Sequence, residues 1–137
     1  MPGARIPLGV HAAMEPLLVA LLIAAPWIFG FSDLGDATAV CVVAGVLVLF
    51  TAMTTRWRLA LVRLLPLRMH AAIDATLGVL LIVAPFVVGY REDGAPTAVT
   101  VVIGAGLILS ALGTRWTDDS ALVHDRDHVG GEPGVRT

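Results

Sequence analysis

The sequence predicts an all-α membrane protein in which four transmembrane helices form two tandem, repeated helical hairpins. Three observations carry that expectation. The 137-residue chain is 57% hydrophobic with a mean hydropathy of +0.85, too apolar for the largely polar surface of a small soluble globule. Its charged residues, 15% of the total, are absent from residues 16–32, 37–55, 75–90 and 94–114. A hydrocarbon core about 30 Å thick takes roughly 20 helical residues, so each of these stretches matches one crossing. The chain also contains its own pattern twice. His11 to Trp57 recurs without a gap as His70 to Trp116, and from Pro7/Pro66 onward the copies share 23 identities in 51 aligned pairs. Such repetition defines architecture before any local reading does.

Residues 1–10 hold two prolines and two glycines and read as an irregular lead-in. A cleaved signal peptide is the weaker reading, since its n-region would hold only Arg5 and the apolar run that follows has a counterpart deep in the chain, where no signal peptide can lie. The first span is expected from about His11 to Gly30, with Pro16 in its opening turns, where a missing N–H costs little. Pro26 should loosen the far end, Gly30 should stop the helix, and Trp27, Phe29 and Phe31 fall at the depth of an aromatic belt. The polar turn Ser32–Asp36 is short enough to make the second span, about Ala37 to Thr54, an antiparallel neighbour. The third span, about His70 to Tyr90, and the fourth, about Pro96 to Thr114, repeat the arrangement around the turn Arg91–Gly94. Small residues in spans two and four (Ala44, Gly45 and Ala52; Gly104, Gly106 and Gly113) predict close helix packing without a strict GxxxG motif.

The organisation expected is a membrane domain over residues 1–116, with repeat 1 at about 7–57 and repeat 2 at about 66–116. Between the repeats, residues 58–69 place Arg58, Arg63 and Arg68 among leucines, which suits a segment lying in the lipid headgroups. Residues 117–137, with their acidic groups, a Gly-Gly pair and Glu132-Pro133-Gly134, read as a disordered tail, its His124 and His128 scattered rather than paired for a metal. Arg5, Arg56, Arg58, Arg63, Arg68 and Arg115 fall on one side and Arg91 alone on the other. The positive-inside rule then places both termini and the linker in the cytoplasm of a multi-pass protein of the inner (plasma) membrane. The lone Cys41 excludes an intrachain disulfide.

The two copies resemble the SPW-repeat family of small prokaryotic membrane proteins, named for a Ser-Pro-Trp at the end of the first of two helices in each repeat. The corresponding residues are Ala25-Pro26-Trp27, followed by Ile28-Phe29-Gly30-Phe31, and Ala84-Pro85-Phe86, followed by Val87-Val88-Gly89-Tyr90. Ala replaces Ser in both copies and Phe replaces Trp in the second, while the frame of Pro, aromatic, Gly and aromatic is kept. The resemblance covers about residues 7–116 and implies four helices in two similar hairpins. It implies no activity, cofactor or catalytic residue.

The candidate site is the pair His11/Glu15 and its copy His70/Asp74, each spaced i,i+4 on one helix face. Because a two-span repeat keeps its direction, the copies should be related by an axis along the membrane normal, with both pairs at one depth near the cytoplasmic end. Ionisable groups in a membrane are costly and count as functional hypotheses by default. The leading reading is structural, each acid neutralising its own histidine or an arginine such as Arg68. A proton or ion relay through the pairs comes second. A metal held by the two histidines, or a haem ligated from both faces, comes third. The repeat signature Pro26, Trp27, Gly30, Pro85, Phe86 and Gly89 reads as interfacial anchors and helix terminators, as do Trp57 and Trp116 beside their arginines.

No phosphate-cradling glycine loop, HExxH, GxSxG or CxxC occurs, and no basic soluble face exists for nucleic acid. The expectation is a non-enzymatic membrane protein without a catalytic residue, resident metal or cofactor. Its role is structural or interactive within a membrane assembly, its partners being lipid and a membrane protein or a second copy of itself. The alternatives are a proton or ion carrier or channel using the His-acid pairs, and a haem-binding redox subunit.

Overall fold

The computed structural model describes residues 6–56 and 61–116, and the acidic tail, Arg5, Trp57 and Arg58 lie outside them. Four long apolar helices follow one another: α1 (Leu8–Ile28), α2 (Gly35–Thr54), α3 (Leu67–Ala84) and α4 (Gly94–Gly113). A π-helical turn, Pro85–Gly89, prolongs α3 to a 23-residue span, and the other three have 20 or 21 residues, so all four can cross a bilayer. The chain is a membrane protein of two antiparallel hairpins, α1/α2 and α3/α4. Each of α1 and α3 touches both α2 and α4, so α1 and α3 stand diagonally across the bundle. The end holding the starts of α1 and α3 is the basal end here, and the other is the turn end.

The helices begin earlier than the charge pattern suggests. Pro7 and Pro66 are the N-caps of α1 and α3, in extended backbone with φ of −61° at both. A cap residue owes no N–H to the helical ladder, so proline costs nothing there. Their carbonyls accept the first helical bonds, from the His11 and His70 amides, each at 3.2 Å. The histidines therefore sit one turn inside the helices rather than at their starts. Pro16, expected in the opening turns, lies in the helix interior instead. There it leaves the Ala12 carbonyl without its i+4 donor, which a membrane helix tolerates when surrounded by protein.

At the turn end, Gly30 (φ +71°) and Gly89 (φ +103°) hold left-handed backbone. After Gly30 the Phe31 amide returns to the Pro26 carbonyl at 2.8 Å, a Schellman closure that also turns the Phe31 ring inward. Phe31 and its counterpart Tyr90 are 3% and 5% exposed and pack with Ala25, Ala37 and Cys41. Phe31 is thus a core residue, not part of the aromatic belt expected for it, whereas Trp27, Phe29 and Phe86 do face outward. Alanine at Gly30 or Gly89 is expected to cost about 1–2 kcal/mol, since an L side chain resists left-handed backbone. A lower melting temperature in detergent checks this, with Gly35→Ala, where a methyl meets nothing, as the unaffected control.

The core is layered. A mid-bundle cluster of Val19, Leu22, Ala44, Val48, Leu77, Leu81 and Leu107 lies between the aromatic layer and the basal end. Within the second hairpin the backbones almost touch, because a Cβ on Gly78 would come 2.6 Å from the Gly104 carbonyl oxygen and one on Gly104 2.5 Å from that of Gly78. The first hairpin has Val19 at the position matching Gly78, and its Gly45 faces the side chain of Ile23 instead. The hairpins meet each other less intimately, and an apolar groove of about 300 Å³ runs between α2 and α3, lined by Val43, Leu47, Leu80 and Val83.

Two backbone bridges close the basal end, and they are copies of one another. Ile6 donates to the Gly113 carbonyl at 2.9 Å and accepts from Arg115 at 3.0 Å. Leu65, 59 residues on, donates to Thr54 at 2.8 Å and accepts from Arg56 at 3.0 Å. The segment preceding each repeat is therefore paired to the end of the other. This is the exchange that an axis along the bundle produces.

Candidate functional site

Glu15 and Asp74 stand one turn past the two histidines on α1 and α3, and the diagonal placement of those helices turns all four side chains toward the bundle axis. They form a closed ring. His70 Nε2 lies 2.7 Å from Glu15 Oε1 and 3.2 Å from Asp74 Oδ2, while His11 Nε2 lies 3.4 Å from each of the same two oxygens. Exposure is 4% for His11 and Glu15 and nil for His70 and Asp74. The shortest contact crosses between hairpins, so the acids do not simply neutralise their own histidines, as the spacing alone suggests. Arg68 is exposed and forms no ion pair among the described residues.

The outer nitrogens of both rings are held by hydroxyls from the ends of α2 and α4. Thr55 Oγ1 donates to the Thr51 carbonyl at 2.6 Å, so its oxygen is left to accept from His70 Nδ1 at 2.7 Å. In the other copy Thr114 Oγ1 donates to the Ser110 carbonyl at 2.7 Å, and His11 Nδ1 lies 3.2 Å from that hydroxyl and 2.8 Å from Ser110 Oγ. Threonine hydroxyls that spend their protons on the helix behind them fix the Nδ1–H tautomer. Each Nε2 then points its lone pair, or a shared proton, at the carboxylates. With Nδ1–H on both rings, two further protons shared between the Nε2 atoms and the acids make the ring neutral, which burial in low dielectric favours.

Trp116 closes the ring from the basal side. Its ring centroid is 4.9 Å from that of His11 and 5.6 Å from that of His70, and its Nε1 donates to the Ala111 carbonyl at 2.8 Å. Read from sequence as an interfacial anchor, Trp116 instead covers the polar centre. The sequence reading does not single out Thr55, Thr114 and Ser110 as parts of the site. Their signal was present, since a hydroxyl stands at both 51/110 and 55/114 of the repeat, one turn apart at the end of the second helix.

The signature residues do not join this centre. Pro26 and Pro85 are buried and Trp27 and Phe86 are about 60% exposed at the turn end. Fifteen helical residues separate His11 from Pro26, about 22 Å along the axis. The haem alternative does not fit either. Ligation from both faces needs the macrocycle between the two imidazoles, and Glu15 and Asp74 fill that space, with the histidine centroids 5.7 Å apart. What the four residues do offer is one ligand atom each, all within 4.8 Å of one another.

The family model of the SPW repeat domain matches residues 9–114, from the first turn of α1 through the end of α4. The chain belongs to the SPW-repeat family. No curated protein and no solved structure matches it. In this SPW-repeat chain the match takes in the ring, its supporting hydroxyls and the Pro-aromatic frame, but not Trp116.

Proposed function

We propose that this SPW-repeat protein is a non-enzymatic structural element of the membrane, whose buried ring ties two hairpins into one unit that packs against other membrane components. The observation that carries the reading is the position of the ring. It sits under Trp116 at the basal end, and the next layer toward the turn end is the apolar cluster of Leu22, Val48, Leu77, Leu81 and Leu107. A proton or ion leaving the ring would have to cross that layer without a polar side chain to receive it, which argues for a tie rather than a relay. The arginine distribution supports a basal end in the cytoplasm, with Arg56, Arg63, Arg68 and Arg115 on that side against Arg91 at the turns. The broad apolar surface, including the groove between α2 and α3, suits lipid and a partner membrane protein or a further copy of the chain.

The carrier reading draws on the 2.7 Å contact between His70 and Glu15, short enough to share a proton. Proteoliposomes separate the two. Vesicles holding the wild-type chain are expected to carry no more proton flux than protein-free vesicles, and the His11→Asn/His70→Asn double variant to match them while melting earlier in detergent. Flux that disappears with the two histidines would establish the carrier and end the structural reading.

A further inference from the structure

We propose that the ring of His11, Glu15, His70 and Asp74 is a binding site for a divalent transition metal ion of the zinc class, coordinated by His11 Nε2, His70 Nε2, Glu15 Oε1 and Asp74 Oδ2. The proposal deepens the tie reading, with the ion as the fastening between the hairpins.

The first support is geometric. The four nitrogen–oxygen edges of the ring are 2.7, 3.2, 3.4 and 3.4 Å. A tetrahedral ion with ligands at its usual bond lengths has edges of about 3.3 Å. The separations across the ring reach at most 4.8 Å, so the four donors close on a tetrahedral ion by side-chain rotations that draw opposite corners in by up to about 1.5 Å. Calcium and magnesium want six or more oxygens, whereas two imidazoles and two carboxylates suit zinc and its neighbours.

A second, independent support lies outside the ligand set. Both Nδ1 atoms are committed to hydroxyls, at 2.7 Å to Thr55 for His70 and at 2.8 Å to Ser110 and 3.2 Å to Thr114 for His11, and the two threonine hydroxyls are themselves anchored on helix carbonyls. This is the outer-shell arrangement that fixes the tautomer and ring orientation of metal-bound histidine. A third support is electrostatic. Asp74 is wholly buried, and while its Oδ2 faces the two histidines, its Oδ1 and Glu15 Oε2 have no hydrogen-bond partner among the described residues. Two carboxylates balance a divalent charge, so the loaded site is neutral in a medium that penalises net charge.

Loading exchanges the ion for the protons shared between the imidazoles and acids, about two per metal. The proton balance supplies a readout that a purely structural ring cannot give.

The test uses the full chain in detergent, stripped with chelator and titrated with Co²⁺, then with Zn²⁺. The expected result is one Co²⁺ per chain with the intense visible bands of four-coordinate cobalt, displaced by Zn²⁺, with about two protons released into weak buffer. Zn²⁺ should also raise the melting temperature. Glu15→Gln and His70→Asn should each abolish the cobalt bands. Thr55→Val, which keeps all four ligands and loses the Nδ1 support, should weaken binding about 10- to 100-fold. His124→Ala/His128→Ala, in the tail, should leave the bands unchanged. A folded wild-type chain that shows no cobalt bands and no proton release overturns the proposal, as do bands that survive Glu15→Gln and vanish with the tail histidines. The two readings fail separately. A chain that binds no metal but is destabilised by His70→Asn keeps the tie and discards the ion. One that takes up cobalt, yet melts unchanged as metal-free His70→Asn, keeps the ion and discards the metal-free tie.

Discussion

Replacing His70 by alanine is expected to destabilise the metal-free protein by about 3–5 kcal/mol, the cost of leaving buried charge without its partner. His70 is wholly buried and makes the two shortest contacts of the ring, 2.7 Å to Glu15 and 3.2 Å to Asp74. Its removal leaves two carboxylates at 4% and 0% exposure facing one another. His11→Ala should cost less, because both of its contacts to the acids are 3.4 Å. The expected order, His70→Ala worse than His11→Ala, is read from chemical or thermal unfolding in detergent followed by the helical signal. Glu15→Gln/Asp74→Asn added to His70→Ala should recover much of the loss, since the variant then buries neutral amides rather than charge. Wild-type stability in His70→Ala would show that the ring does not hold the hairpins together.

This ranking of the two histidines is beyond the sequence, although the site itself is not. The i,i+4 spacing of His11/Glu15 and His70/Asp74 fixes which residues share a helix face, and the repeat fixes their common depth. Neither fixes lateral distance. Two pairs at one depth could be neighbours or lie on opposite outer faces, and only the diagonal placement of α1 and α3 brings them into one ring. The same limit explains Trp116. An aromatic beside an arginine at a helix end is usually an anchor, and its turn inward over the histidines follows from the backbone bridge between Arg115 and Ile6, a contact between residues more than a hundred positions apart. The helix starts lie beyond the sequence pattern for a different reason. Charge patterning marks where a chain becomes apolar, whereas Pro7 and Pro66 start the helices a turn earlier as caps. Phe31 shows the converse. Its aromatic character suggests the interface, but the left-handed Gly30 before it directs the ring into the core.

Alanine at Gly104 is expected to cost about 1–3 kcal/mol, and larger residues there to prevent the second hairpin from closing. A methyl at this position would stand 2.5 Å from the Gly78 carbonyl oxygen, 2.9 Å from Ile82 Cγ1 and 3.1 Å from Leu81 Cβ. The first of these neighbours is backbone and cannot turn aside as a side chain can, so α3 and α4 must part by about 1 Å to reach ordinary contact. Lipid offers no hydrophobic drive to pull them back together, which leaves close packing as the main attraction lost. The damage should also reach the ring. Ser110, which holds His11, is six residues further along α4, about 9 Å away, and His70 and Asp74 ride on the helix that is displaced. Gly104→Ala should therefore lower metal-free stability and, where the ion is bound, weaken cobalt binding although it touches no ligand. Gly45→Ala, the same position of the first repeat, should be milder, because its nearest obstacle, Ile23 Cγ1 at 2.8 Å, belongs to a side chain and the nearest backbone atom is 3.4 Å away. Gly106→Ala, two residues from Gly104 on the same helix and facing open space, should leave stability unchanged or raise it slightly. The order Gly104, Gly45, Gly106 distinguishes a backbone contact from helix propensity, since alanine favours the helix at all three. Equal melting temperatures for the Gly104 and Gly106 variants would remove the backbone contact between α3 and α4 from the account of how this hairpin closes.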